Sequence, residues 1–211
     1  MKYPHYSIYE NLYKRFFNKG VQYFIDEADI QVDDNILDIC GGNGRLTKEL
    51  KRHCQNVSYL DQEKDMIPED LENLGIKVYN NSIEDFVETT KEKFSKVFCE
   101  QAINYWLLNI DIEKFSNIFE KDGRFIFNTF SNKPSIKPMV KEYEIENKNY
   151  LEISYLVNEK VYHIQVCEGY APHFTIFDWI SEEIYLKLLS PYFDIKIKDN
   201  GKSALYICKR K

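Results

Sequence analysis

Residues 35–50, NILDICGGNGRLTKEL, constrain the fold of this chain more than any other stretch. The run opens apolar (Ile36-Leu37-Asp38-Ile39), breaks at Cys40-Gly41-Gly42-Asn43-Gly44, and resumes with Leu46 and Leu50 four residues apart. Such spacing puts two side chains on one helix face. The pattern predicts a strand, a tight glycine turn and a helix. Glycines turn the backbone sharply and let a ligand come close where a Cβ would clash. A phosphate-cradling P-loop needs Gly-Lys-Ser/Thr, and here Arg45-Leu46 follows Gly44. A dinucleotide fingerprint needs a glycine three residues after Gly44, where Thr47 stands.

A third pattern fits better. Leu37-Asp38-Ile39-Cys40-Gly41-Gly42-Asn43-Gly44 resembles motif I of the class I S-adenosylmethionine-dependent methyltransferases, hydrophobic-Leu-Asp-hydrophobic-Gly-x-Gly-x-Gly. Cys40 departs from it, since the family often has Gly or Ala there. The resemblance implies S-adenosyl-L-methionine as cofactor, held at Asp38, Cys40, Gly41 and Gly42. It implies an α/β fold: a doubly wound, mostly parallel seven-stranded sheet.

The following segments continue the pattern. Asn56–Asp61 reads as a second strand ending in an acid seventeen residues past Gly44, where a cofactor-binding α/β fold places the carboxylate that takes the ribose hydroxyls. Asp61-Gln62 and Met66 resemble the family segment that brackets adenine. Ile76–Tyr79 reads as strand three, and Asn80–Phe86 resembles the family's Gly-Asp-Met-x-Asp-Phe loop, with Ser82 and Ile83 at the Asp-Met positions. Lys96–Cys99 reads as strand four. It feeds Glu100–Trp106, where Glu100 is placed toward the cofactor and Gln101, Asn104 and Tyr105 toward a small acceptor. The Asn-Pro-Pro-Tyr signature of amino-methyltransferases acting on DNA bases or glutamine is missing. Residues 111–120 are expected as an amphipathic helix and 124–129 as strand five, making five βα repeats and a parallel sheet. Near the start, Tyr9-Glu10-Asn11-Leu12-Tyr13 resembles the segment with which many small-molecule methyltransferases close over cofactor and substrate. This assigns Tyr13 to the cofactor and Tyr9 to the acceptor. Residues 20–28 are expected to form a second short helix.

After Asn132 the character changes. Lys133-Pro134 and Lys137-Pro138 break regular structure, and short alternating runs follow at 141–145, 150–157, 161–167 and 173–177. These predict an antiparallel β insert at 133–175, a cap on a core made of 1–132 and 176–211. Alternation over 161–167 sets His163, Gln165 and Cys167 on one face and Tyr162, Ile164 and Val166 on the other. The apolar face is expected to pack inward, and the polar face then either to meet water or to line the cleft. An imidazole suits proton removal near neutral pH, so His163 and His173 are the candidates for a general base, His173 favoured for its loop-like surroundings. A helix over 179–189 and a closing hairpin at 193–198 and 203–209 complete the expected core.

Charge and cysteine content bound the function. Lys plus Arg total 28 against 34 for Asp plus Glu, a net −6, without the basic footprint of a phosphate-gripping protein. Nucleic acid is therefore not expected as a partner. Five scattered cysteines without C-x-x-C spacing point to reduced thiols and a cytoplasmic setting. His53-Cys54 lacks further ligands nearby, so no metal is expected. A bilayer-spanning run is absent from the sequence. The expected chemistry is methyl transfer to nitrogen or oxygen of a small polar molecule by a monomer or homodimer. Two readings stay open beside it: methylation of a modified tRNA nucleoside, and a non-catalytic cofactor-binding protein of the same fold.

Overall fold

The computed structural model of the protein describes residues 18–145, 147–169, 172–199, 201 and 203–211. Helix α1 (Asn18–Ala28) leads into β1 (Asn35–Ile39), α2 (Arg45–His53), β2 (Asn56–Leu60), β3 (Lys77–Tyr79), α3 (Ile83–Thr89), β4 (Phe94–Cys99), α4 (Ile112–Ser116) and β5 (Phe119–Phe130). Strands β6 (Met139–Ile145), β7 (Lys148–Val157), β8 (Lys160–Cys167) and β9 (His173–Asp178) follow, then α5 (Glu182–Leu189), β10 (Phe193–Asp199) and β11 (Ser203–Arg210).

Seven strands form one sheet in the order β10-β11-β5-β4-β1-β2-β3. Strands β1 to β5 pair in parallel, and β11 runs antiparallel to both β5 and β10. Its central strands are apolar on both sides, as a strand covered on both faces must be. Along β1 the side chains alternate between two cores. Ile36 packs with Phe24, Ile25, Leu46 and Leu50 from α1 and α2. Leu37 and Ile39 pack with Ile83, Phe86, Phe115 and Tyr185 from α3, α4 and α5. The sheet is thus doubly wound, as the motifs imply. Strand order reverses beside β1, and the crevice beyond the carboxyl ends of β1 and β4 is where such folds bind ligands.

Two helices are shorter than their periodicity suggests. Over 111–120 only Ile112–Ser116 is helical, because Phe119 already pairs with Phe94 as the start of β5. The β4–β5 register then slips before Lys96 meets Arg124, with Asp122 at φ 63°. The helix expected from 179 starts at Glu182, where the Ser181 hydroxyl accepts the Ile184 amide.

Strands β6 to β9 form a separate antiparallel meander. It extends to Asp178, past the expected end of the insert at 175. Its apolar face does not pack inward as expected; the polar face lines the cleft, one of the two places left open for it. Phe174, Ile176, Val140 and Val157 on the apolar face are 43–55% exposed. The polar face looks toward the main sheet, where His173 and Thr175 line the cavity described below. The reason lies at one end of that polar face. There Leu156, Val161, Phe177 and Trp179 form an apolar cluster, and the Phe177 ring sits 5.2 Å from that of Tyr105. This local anchor decides which face turns inward.

Candidate active site

The turn after β1 is held by β2. The Gly41 amide donates to the Leu60 carbonyl (3.2 Å), and the Tyr59 hydroxyl donates to the Gly42 carbonyl (2.7 Å). A Cβ on Gly41 would lie 2.4 Å from the Tyr59 ring, so glycine is required there by packing. Gly44 needs glycine for another reason: its φ is +70°, and Pro68 stands 2.9 Å from where a Cβ would be. Cys40 also adopts a positive φ of 55°, a region unfavourable for a side chain.

Across this turn lies Asp61. Its Oδ2 accepts the Gly42 amide and its Oδ1 the Glu63 amide, both at 2.9 Å. Each carboxylate oxygen has two lone-pair sites, so both oxygens keep capacity for a ligand's hydroxyls. Burial raises the Asp61 pKa above the ordinary value. Asp38, at the end of β1, is 1% exposed and accepts the Thr47 hydroxyl at 2.6 Å. Burial, reinforced by the Glu100 and Asp61 charges, pushes its pKa up to about 7. Glu100 is buried as well and ion-paired with Arg45 at 2.5 Å; burial raises its pKa despite the guanidinium. The Cys40 thiol is held well above its usual range by a hydrogen bond with Cys99 and by burial.

These groups line one cavity of about 350 Å³, within the range of small-molecule sites. Of the sequence-derived site residues, Asp38, Cys40, Gly41, Gly42, Asp61, Gln62, Met66, Ile83, Glu100, Gln101, Tyr105 and His173 line it. Tyr9 and Tyr13 lie outside the described residues.

Four assignments need correction. Ser82 does not line the cavity: its hydroxyl caps α3 by accepting the Asp85 amide, while the neighbouring Asn81 and Glu84 face the space. Asn104 is also not a lining residue. Its Nδ2 donates to the Asp178 carbonyl and its Oδ1 accepts from Thr129 and Tyr185, so its polar atoms are committed to structure. His163 sits one strand away from the cavity with Nε2 3.2 Å from Glu152 Oε1. It faces the Glu152 carboxylate rather than the cavity wall. His173 is the first residue of β9 rather than a loop residue.

Other lining residues escaped the sequence reading: Arg45, Trp106 and Thr175 among them. Arg45 is legible in retrospect, as the first residue of the helix opening the turn. Thr175 carries no local signal, since only the facing of β9 brings it to the cavity.

No protein-family model matches the sequence. A methyltransferase of Schizosaccharomyces pombe described as uncharacterised, C70.08c, is 28% identical over 120 residues, which is 53% of this chain and 45% of that protein. The matched part thus spans about half the length of that curated relative. Among solved structures, an S-adenosylmethionine-dependent methyltransferase from Clostridium acetobutylicum superposes with a TM-score of 0.74 at 19% identity, covering 97% of this chain and 96% of that one. The sugar N-methyltransferase KedS8 from Streptoalloteichus superposes with a TM-score of 0.71 at 12% identity, covering 98% and 92%. With the strand order and the glycine turn at the β1 edge, these similarities identify the fold of this chain as that of the class I S-adenosylmethionine-dependent methyltransferases.

Proposed function

We propose that the protein is an S-adenosylmethionine-dependent methyltransferase acting on nitrogen or oxygen of a small polar molecule. The observation that carries this reading is the Gly42–Asp61 hydrogen bond, which fixes a half-buried carboxylate beside the glycine turn in a cavity that continues to His173. The names of the Schizosaccharomyces relative and the bacterial structures support it, and the sugar N-methyltransferase among them favours a small acceptor.

The residues present fit the cofactor. Asp61 keeps lone pairs for a ribose diol, Met66 and Ile83 offer apolar walls for a purine, and the glycine turn leaves room for close approach. Bound there, S-adenosylmethionine supplies a methyl group already activated by a positively charged sulfur. The chain's own work is mostly alignment. The carboxyl groups of Asp38 and Asp61 line the cavity, and whatever charge they carry favours a cationic ligand, while Glu100 is balanced by Arg45. The second sheet covers the acceptor side and limits access of water. His173, on that sheet and at the cavity wall, takes the proton that an ammonium or hydroxyl acceptor must lose.

Calorimetric titration with S-adenosylhomocysteine tests the cofactor assignment. Wild type should bind it, and Asp61→Ala should lose about 2–3 kcal/mol, the scale for hydrogen bonds to a charged group. Incubation of a cell extract with tritiated methyl donor then tests the acceptor class. Label is expected in the small-molecule fraction; label confined to macromolecules would overturn that part.

A further inference from the structure

Among the described residues, three buried polar atoms at or beside the cavity lack a hydrogen-bond partner: Trp106 Nε1, Thr175 Oγ1 and Gln165 Oε1. Trp106 is 4% exposed and lines the cavity, as does Thr175. Gln165 lies directly opposite His173 in the β8–β9 register, so its side chain is on the same face of the sheet as His173 and Thr175, which line the cavity. Unpaired buried groups are uncommon in folded proteins and costly to leave unpaired. Their concentration beside one cavity marks a place where a ligand completes them. The facing of the sheet points the same way. Burial alone would turn the apolar face of β9 inward, yet Phe174 and Ile176 are exposed while His173 and Thr175 line the cavity.

The chemistry of the unpaired atoms narrows the ligand. An indole N–H can only donate, a carboxamide oxygen can only accept, and a threonine hydroxyl does either. Alkyl ammonium groups only donate, and carboxylates only accept. Hydroxyl groups do both, on neighbouring carbons. Resting on the methyltransferase reading above, we infer that the inner face of β8 and β9 with Trp106 is the acceptor subsite, and that the acceptor is a polyhydroxylated ring or chain. Gln165 Oε1 accepts from one hydroxyl, Thr175 Oγ1 pairs with another, and Trp106 Nε1 donates to a ligand oxygen. A site built around a hydroxyl strongly rejects the analogue lacking it, because its own buried groups are then left unpaired.

The test uses the full chain saturated with S-adenosylhomocysteine and a small panel of probes. Glucosamine and myo-inositol are titrated against cyclohexylamine and cyclohexanol, rings of similar size with fewer hydroxyls. At least one polyol should bind tenfold or more tightly than its hydroxyl-poor counterpart. Gln165→Met and Thr175→Val, both close to isosteric, should each weaken that polyol roughly tenfold while leaving cyclohexanol and S-adenosylhomocysteine unchanged. Failure of every polyol to bind, or preference for the hydroxyl-poor rings, overturns the proposal on wild-type protein alone, whatever the variants do. Equal loss of polyol and cyclohexanol in the variants also overturns it. S-adenosylhomocysteine binding separates the two readings. If it binds and the polyols do not, the subsite proposal falls and the methyltransferase reading stands; if it does not bind, both fall.

Discussion

The side-chain amide of Asn104 joins the two sheets: its Nδ2 donates to the backbone carbonyl of Asp178 at 2.8 Å. Its Oδ1 accepts from Thr129 at 2.9 Å and from Tyr185 at 3.1 Å. A loop residue that sequence reasoning assigns to the acceptor is instead a structural pin. Asn104→Leu should therefore lower unfolding free energy by roughly 2–4 kcal/mol, the scale for buried hydrogen-bonding groups left unpaired. Affinity for S-adenosylhomocysteine should stay within a few-fold. Urea denaturation and calorimetry check the two halves, and unchanged stability with lost affinity would return Asn104 to the site.

Gly41 and Cys40 lead to opposite expectations one residue apart. A methyl group at Gly41 meets the fully buried Tyr59 ring, whose hydroxyl is tied to the Gly42 carbonyl. Gly41→Ala should cost about 1–3 kcal/mol of stability, the range for overpacking, and weaken S-adenosylhomocysteine binding. Cys40 already carries a side chain at positive φ. Cys40→Gly relieves that conformation and should leave the melting temperature unchanged or higher. Thermal melts of the two variants decide both; a lower melting temperature for Cys40→Gly would show that its contact with Cys99 outweighs the backbone strain.

The main sheet and its glycine turn were legible because their signals are local. Apolar runs end in an acid, glycines punctuate, and the spacing between Gly44 and Asp61 repeats a strand-to-strand distance along the sequence. The four strands of the insert were legible for the same reason. What stayed hidden depends on pairs distant in sequence. Ser82 looked like a ligand contact but serves its own helix, and Asn104 is defined by Asp178, seventy-four residues away. The inward face of the second sheet could not be read from alternation, which separates two faces but does not say which one turns in. That choice was made by Leu156, Val161, Phe177 and Trp179.

Asp38 makes stability depend on pH. Unfolded, its carboxyl ionises near the ordinary aspartate value of 3.8, and folded, near 7. Between these values the folded state holds the extra proton. Stability of the ligand-free protein should therefore fall as pH rises from about 4 to 7 and level off above. Asp61 and Glu100, raised by burial, act in the same direction. Asp38→Asn should flatten this slope, a difference on the order of 2–4 kcal/mol between the two ends. Denaturation at stepped pH measures it; an unchanged slope in Asp38→Asn would mean the carboxyl ionises normally.

The two histidines of the second sheet are separated by their neighbours. His173 lines the cavity together with Gln101, Tyr105 and Thr175. His163 lies behind that wall, 3.2 Å from Glu152, whose pKa it lowers. A proton acceptor must come within hydrogen-bond reach of the atom it serves, and the position of His173 meets that condition better. With an acceptor in hand, His173→Ala should lower kcat by roughly 10²-fold, the scale for losing a general base. The acid limb of the pH–rate profile should disappear with it, since that limb reports protonation of the base. His163→Ala should leave kcat within a few-fold, because His163 faces Glu152 and not the cavity. Neither change should alter S-adenosylhomocysteine affinity. If His173→Ala keeps both its kcat and its acid limb, the imidazole is not the base, and the acceptor gives its proton to water or arrives without one.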